Sequence, residues 1–361
     1  MANPPGQTSD RAAKSEILNY YQSHRLFRDR YRVIKKLGQG GFGVTYLAQN
    51  ATLPGSPYCV IKQLCPKAGS ELSLERAKVR FRREARALAN LGSHSQIPQL
   101  LDYFTSGGEF YLVQDYIHGE TLAQEVRRNG RLTEAQVKYF LREIIPVVRF
   151  VHRNRVVHRD IKPPNIIRSE RDRRLVLIDF GAVREFLSDV DDGGAVQAPA
   201  TQFVGTPGFA PPEQLALRPC YASDIYALGM TSLYLLTART PIEFEQDPHN
   251  GVIRWHHTVT VSPHLTTVLD KMLMPEAQDR YTTIEELERA LELEPHLEVL
   301  ASCMNTRDRP FVDDPGAQNG QPTDSYLTPI QREAQAIRKW RTKRSFGRGQ
   351  QGRSAGPVSL P

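Results

Sequence analysis

Residues 158–165 read His158-Arg159-Asp160-Ile161-Lys162-Pro163-Pro164-Asn165, and a little further along stands Asp179-Phe180-Gly181. An aspartate in a loop, such as Asp160, can accept or orient the proton of a hydroxyl. Asn165 and Asp179 offer the oxygen donors that a hard divalent cation prefers. Lys162 adds a positive charge between them. An orienting carboxylate, metal-held phosphates and charge neutralisation are the parts that phosphoryl transfer needs. Either short motif alone is weak. The two together, separated by the strand-like run Leu175-Val176-Leu177-Ile178, are a strong signal.

Upstream, Gly38-Gln39-Gly40-Gly41-Phe42-Gly43-Val44 is the next string of interest. A Gly-x-Gly-x-x-Gly sequence also occurs in dinucleotide sites, but there it must lead from a strand into a helix. Here it is followed by Val44-Thr45-Tyr46-Leu47-Ala48 and then a second strand, so a glycine hairpin is expected. Without side chains, Gly38, Gly40 and Gly43 would let backbone N–H groups approach phosphate oxygens, with Phe42 at the tip as a shield. Lys62 ends the strand-like run Tyr58-Cys59-Val60-Ile61-Lys62, and Glu84 lies within an arginine-rich helical segment.

The elements that must position these groups fall into two kinds. From Tyr31 to Tyr116 the pattern is mostly strands, at about 31–37, 44–48, 58–62, 99–103 and 110–116, interrupted by a helix over 73–91. After Gly119 apolar residues recur at helical spacing over 122–129, 133–153, 224–237, 262–274 and 283–293. Thr133 with Gln136 and Thr283 with Glu286 have the spacing of capped helix starts. Strands first and helices later predict an α+β protein of two lobes, hinged near 115–119. The expected division is a polar leader over 1–30, a β-rich lobe over 31–117, a helical lobe over 118–294 and a mostly disordered tail over 295–361.

In this order the motifs resemble those of the protein kinases, from about Tyr31 to about Leu291. Phe81-Arg82-Arg83-Glu84, Gly205-Thr206-Pro207 through Pro211-Pro212-Glu213, Ser223-Asp224-Ile225 and Asp279-Arg280-Tyr281 extend the match. The wording of the glycine string and of Val176 to Arg184 is similar to the bacterial serine/threonine kinases of cyanobacterial type. The resemblance implies ATP as cofactor with Mg²⁺, or Mn²⁺ as an alternative ion. It places Lys62 on the α- and β-phosphates, held by Glu84, and makes Asp160 the catalytic base with Lys162 on the transferring phosphate. It makes Asn165 and Asp179 the metal ligands. It lines the nucleotide site with Gly38, Gln39, Gly40, Gly41, Phe42, Gly43, Val44, Val60, Gln114, Asp115, Ile117 and Ile167. Lys162 and Thr206 favour serine or threonine over tyrosine as acceptor. His158 and Phe180 are expected to pack. Asp224 should anchor the catalytic loop, and Glu213 and Arg280 should form a buried ion pair. The departures are Val60 and Gln114 in the adenine pocket, and Pro164 and Pro212 in loops.

Between Asp179 and Glu213 the chain is rich in Asp and Gly, with Ser188, Thr201 and Thr206 as hydroxyl candidates. A phosphate on Thr201 paired with Arg159 would order this segment. The net charge of +7 is carried entirely by residues from Gln331 onward, where eight basic residues face one acid, so the remainder sums to zero. Residues 337–348 interleave aromatic and cationic side chains, which suits a weak anionic partner. The polar start lacks an apolar signal core, and the four cysteines have no metal-ligand spacing, so a cytoplasmic, reduced protein is expected. The apolar run Ile225–Ala238 is shorter than the roughly 20 residues a bilayer requires and reads as a buried helix. Three functions compete. One is an active serine/threonine kinase that also autophosphorylates, favoured by the complete catalytic set. The second is a nucleotide-binding pseudokinase or scaffold. The third rests on the tail as an arm for anionic partners.

Overall fold

In β3 (Tyr58–Leu64) successive side chains alternate between two environments, and this alternation organises the smaller part of the molecule. The computed structural model describes residues 17, 20, 25–39, 43–64, 71–92, 94–106, 109–185 and 205–294, with backbone only at 71–77, 80, 184 and 185. Five antiparallel strands form one sheet in the order β1 (Tyr31–Gln39), β2 (Gly43–Asn50), β3, β5 (Glu109–Asp115), β4 (Leu100–Ser106). Helix α1 (Glu71–Leu91) connects β3 to β4 and packs on one face of the sheet. Because strand side chains point alternately to opposite faces, Cys59 and Ile61 join an outer cluster with Val44, Tyr46, Tyr111 and Val113. Lys62 and Leu64 take the opposite face, toward α1.

The outer cluster is closed by residues that precede β1. Ile17 and Phe27 are fully buried in it, and Tyr20 packs at its edge. The Phe27 ring lies 4.8 Å from that of Tyr111 and 5.3 Å from that of Tyr20. The Tyr31 hydroxyl donates to Asp102 at 2.9 Å, and Arg30 pairs with the same carboxylate at 3.3 Å. The stretch expected as a polar leader thus contributes apolar side chains to the sheet, because a sheet with both faces apolar needs cover on both.

The larger part is helical. After the link at 116–118 come β6 (Gly119–Thr121), α2 (Leu122–Asn129), α3 (Glu134–Arg153) and β7 (Val156–Val157). Then follow β8 (Ile166–Ser169), β9 (Leu175–Leu177), β10 (Arg184–Glu185), α4 (Pro212–Leu215), α5 (Tyr221–Thr237), β11 (Glu245–Gln246), β12 (Ile253–Arg254), α6 (Pro263–Met272) and α7 (Ile284–Glu292). The five helices expected here are present with ends displaced by a few residues. Thr133 caps α3 through a reciprocal pair with Gln136. Thr283 caps α7, but Glu286 reaches back to Thr282 N at 2.9 Å and not to Thr283. In α5 fourteen residues from Ala222 to Leu236 are buried, so this apolar helix is the centre of the core. No helix among the described residues is long and apolar enough to cross a membrane. The loop over 158–165 runs from β7, which pairs with β10, to β8, the middle strand of the short β6-β8-β9 sheet.

Candidate active site

Lys62 is the meeting point of three elements. Its Nζ lies 2.6 Å from Glu84 Oε1 on α1 and 2.9 Å from Asp179 Oδ1, which follows β9. Glu84 faces the sheet because α1 buries Phe81, Glu84, Ala85, Ala87 and Leu88 and exposes Arg82, Arg83 and Arg86. Asp179 sits in the left-handed backbone region, with φ 68° and ψ 74°, a costly conformation for a non-glycine residue. That turn directs its carboxylate to Lys62. Gly181 leaves room beside it, since a side-chain carbon there would fall 3.1 Å from Glu84 Oε2, closer than an ordinary contact.

The electrostatics of the trio are asymmetric. Lys62 holds the Asp179 carboxyl down, at about 2, against the opposing effect of burial. Burial pushes the Glu84 carboxyl up, and Lys62 offsets this only in part. For Lys62 burial works toward deprotonation, and the two carboxylates overcome it and raise the ammonium above its usual range.

Beside this trio lies a second cluster. Asp160 Oδ2 accepts from Asn165 Nδ2 at 2.9 Å and pairs with Lys162 Nζ at 2.8 Å. Asp160 Oδ1 accepts from Thr206 Oγ1 at 2.8 Å, and Lys162 donates to that same hydroxyl oxygen at 2.6 Å. Asn165 Nδ2 also donates to the Asp160 carbonyl at 2.9 Å. Both amide hydrogens of Asn165 therefore point at Asp160, and Oδ1 is the atom left for a cation. Asn165 Oδ1 and the ionised, half-exposed Asp179 carboxylate are an all-oxygen donor set, which fits a hard divalent ion.

The loop itself is held from below. Asp224 on α5 is fully buried and accepts from His158 N at 2.9 Å, Arg159 N at 2.8 Å and His152 Nε2 at 2.9 Å. These bonds, with His152 first, keep the Asp224 carboxyl below its usual range although burial opposes them. Arg159 is buried with φ 68°, and Gln214 Nε2 donates to its carbonyl at 2.6 Å. The His158 ring packs edge-on against Phe180 with centroids 4.8 Å apart, and burial lowers its pKa. Glu213 and Arg280 form a two-pronged pair at 2.7 and 2.8 Å. His152 and Gln214 escaped the sequence reading. Each acts across a long gap in sequence, and neither lies in a recognisable string.

The nucleotide-site residues separate by face. Residues directly opposite one another on antiparallel strands share a face. Gly38 lies opposite Thr45, Thr45 opposite Lys62, and Val60 opposite Leu47 and Gln114. Gly38, Thr45, Val60 and Gln114 therefore line the Lys62 side, and nothing lies within 4 Å of a side-chain carbon placed on Gly38. Val44 does not join them. It is buried in the outer cluster, because it is one residue out of step with Lys62, and Thr45 is the cleft-facing residue of that strand. Asp115 lies opposite Cys59, so its side chain also turns to the outer face, where burial raises its pKa; burial first, and then the Asp115 charge, push the Cys59 thiol up to about 12. Gly43 is dictated by its neighbour strand, since a side-chain carbon there would fall 2.0 Å from the Gln63 carbonyl oxygen. Gln39 is exposed and accepts from Lys36, and Ile117 and Ile167 are half-buried in the link and in β8. Gly40, Gly41, Phe42, Ser188 and Thr201 lie outside the described residues, as do 295–361. Among the described residues no group of three or more His, Cys, Asp or Glu side chains is placed to hold a metal ion.

Residues 31–291 match the protein kinase domain, and the chain belongs to the protein kinase family. Serine/threonine-protein kinase B of Synechocystis sp. is 48% identical over 266 residues, covering 73% of this chain and 46% of that protein. Serine/threonine-protein kinase PknA of Nostoc sp. is 45% identical over 74% of this chain and 48% of its own length. The similarity reaches serine/threonine-protein kinase C of Synechocystis sp. at 40% identity. The chain spans about half the length of the curated relatives it matches. The narrower likeness to cyanobacterial serine/threonine kinases is thereby supported along with the family. The family implies ATP and a divalent metal as cofactors.

Proposed function

We propose that this chain is a serine/threonine protein kinase that transfers the ATP γ-phosphate to protein hydroxyls, its own included. The observation that carries this reading is Thr206, an aliphatic hydroxyl already bonded to both Asp160 and Lys162. The pair therefore accepts a hydroxyl of the kind serine and threonine present. In this reading Asp160 takes or orients the acceptor proton at Oδ1. Lys162 neutralises charge that develops on the transferring group. Lys62 binds the α- and β-phosphates, and Glu84 keeps it extended into the cleft. Asn165 Oδ1 and Asp179 hold Mg²⁺, or Mn²⁺ as an alternative. A bound ion there would supply positive charge against that of the phosphates. Gly38, Thr45, Val60, Gln114 and Ile167 line the space for the nucleotide, and Asp115 and Ile117 contribute there through the backbone of the link.

Asp224 and Gln214 hold the loop that carries Asp160, so they position and do not react, while the Glu213–Arg280 pair ties α4 to α5 and to the segment before α7. A reducing compartment such as the cytoplasm suits the free thiols of Cys59 and Cys220. The phosphate on Thr201 paired with Arg159 stays part of this reading, and a phosphopeptide map of active protein tests it.

The deciding experiment measures γ-phosphate transfer from ATP to the chain itself and to a generic basic protein, comparing wild type with Asp160→Asn. Transfer should fall by about 10²–10⁴-fold in the variant, the range for loss of a positioned acid–base group. Equal labelling of both proteins overturns the reading.

A further inference from the structure

Asp179 stands two residues beyond the short strand β9, so the edges of β9 decide where it is delivered. One edge pairs with β8, where Leu177 lies opposite Ile166, and Ile178 N continues that side by donating to the Asn165 carbonyl at 2.9 Å. The other edge has no strand beside it among the described residues. Two residues take up its polar groups instead. Leu175 N donates to Glu143 Oε1 at 2.7 Å, the Leu175 carbonyl accepts from Gln96 Nε2 at 2.9 Å, and Leu177 N donates to the Gln96 carbonyl at 2.9 Å. Gln96 thus grips β9 with main chain and side chain together, and its Nε2 also reaches the Glu143 carbonyl of α3 at 3.3 Å.

Gln96 lies five residues beyond the end of α1, the helix that carries Glu84. The turn between them is braced. Gln96 N donates to His94 Nδ1 at 3.2 Å, Ile97 N donates to the His94 carbonyl at 3.0 Å, and the His94 ring stacks on Phe150 of α3 with centroids 4.5 Å apart. Leu91 and Ile97, on either side of the turn, are buried in the same core cluster as Leu175 and Leu177. Close-packed interiors transmit displacement, so a shift at Gln96 reaches the end of α1 on one side and β9 on the other. These two elements meet again at Lys62, through Glu84 at 2.6 Å and Asp179 at 2.9 Å. Together they close a circuit, in which Lys62 joins Glu84 to Asp179 at one end and Gln96 joins α1 to β9 at the other.

We propose that Gln96 is a positioning residue for phosphate transfer, a clamp that sets the spacing of the Glu84 and Asp179 carboxylates on Lys62 by tying the end of α1 to the strand that delivers Asp179. This rests on the kinase reading above and adds to it a residue that touches neither nucleotide nor acceptor. The side chain is the part that can be removed cleanly. Gln96→Met keeps the reach of the side chain and takes away both donated bonds, while the bond from Leu177 N to the main chain of residue 96 remains and holds the loop in place.

The test measures two quantities with the full chain. One is γ-phosphate transfer to a generic basic protein. In Gln96→Met kcat should fall by about threefold to tenfold, the range for one or two ordinary hydrogen bonds. KM for the acceptor should stay within about twofold. The Mg²⁺ concentration for half-maximal rate should rise by a factor similar to the fall in kcat, since Asp179 is one of the two proposed ion ligands. In a Glu84→Gln background the same substitution should cost less than about twofold, because the circuit is already open at Lys62. Arg149→Ala, which removes an ion pair between α3 and α7, should leave kcat per folded molecule unchanged. The other quantity is hydrogen exchange without nucleotide, which needs no turnover. In Gln96→Met the amides over 81–91 and over 175–184 should both exchange faster. Equal fold losses in the wild-type and Glu84→Gln backgrounds, an equal loss in Arg149→Ala, or faster exchange confined to 92–98 overturns the clamp. Faster exchange in both segments of a protein that transfers no phosphate instead overturns the kinase reading and leaves the clamp in place.

Discussion

Two buried ionic groups in this molecule are built on opposite principles. Arg280 has a fully buried side chain and is satisfied on every side. It meets both Glu213 oxygens at 2.7 and 2.8 Å, and donates to the carbonyls of Met274, Pro275 and Ala222. All its partners belong to the helical part. Lys62 is shared between two carboxylates that arrive from different elements, Glu84 on α1 and Asp179 after β9. One group is a closed cage, and the other is a junction between separate elements. The cage fixes the shape of the loop segments around α5, while the junction makes the position of α1 count at the catalytic groups. The pKa directions record the same contrast, since one lysine lowers Asp179 yet cannot fully offset the burial of Glu84.

The sharpest way to break the comparison is at the cage. Arg280→Ala leaves the mostly buried Glu213 with only the Ser223 hydroxyl as partner and should cost about 3–5 kcal/mol of unfolding free energy. Urea unfolding checks it, and phosphate transfer per folded molecule should change little. If activity per folded molecule collapses instead, the cage is not merely structural. At the junction the expectation reverses. Lys62→Met should cut transfer by about 10²–10³-fold, as for loss of one preorganised donor. The melting temperature should move less than for Arg280→Ala, because Glu84 is already poised to take up a proton. Glu84→Gln should have an intermediate effect. It removes one charged hydrogen bond to Lys62, which corresponds to about tenfold to hundredfold in transfer rate, and steady-state kinetics at saturating ATP would show it.

The smallest effect sharpens the electrostatic picture. The folded-state carboxyl of Asp179 lies near 2, below its ordinary 3.8. A depressed carboxylate adds stability above its unfolded value, and that contribution is lost as pH falls toward the folded one. The stability difference between wild type and Asp179→Asn should therefore be constant above about pH 5 and shrink between about pH 4 and pH 2. Its size should stay below about 2 kcal/mol, since the side chain is nearly half exposed and solvent screens it. Urea titrations at stepped pH would expose the trend. A difference that grows as pH falls would mean that Lys62 does not hold this carboxylate ionised.

How much of this was legible beforehand depends on distance along the chain. The 158–165 and 179–181 strings, the β-then-α order and most helix ends could be read directly, because the side chains concerned act within a few residues of one another. The pairing of Lys62 with Glu84 and of Glu213 with Arg280 came from the resemblance, and the distances of 2.6 and 2.7 Å agree with it. Val44 shows where reading a string fails. A motif fixes order but not the face of a strand, and only the register opposite Lys62 reveals that Thr45 faces the cleft while Val44 is buried behind it.

The sequence by itself determined the kinds of element, the reactive side chains and their order, because period, capping and glycine placement are local properties of a chain. Tertiary structure alone decided that the Asn165 amide nitrogen is turned to Asp160, that Thr206 sits on Asp160 and Lys162, and that Ile17 and Phe27 cover the sheet. Those outcomes depend on hydrogen bonds and apolar contacts between residues distant along the chain. Such contacts arise only when the elements pack, and competition for the same donors and the same buried surface selects among arrangements that the local pattern leaves equally open.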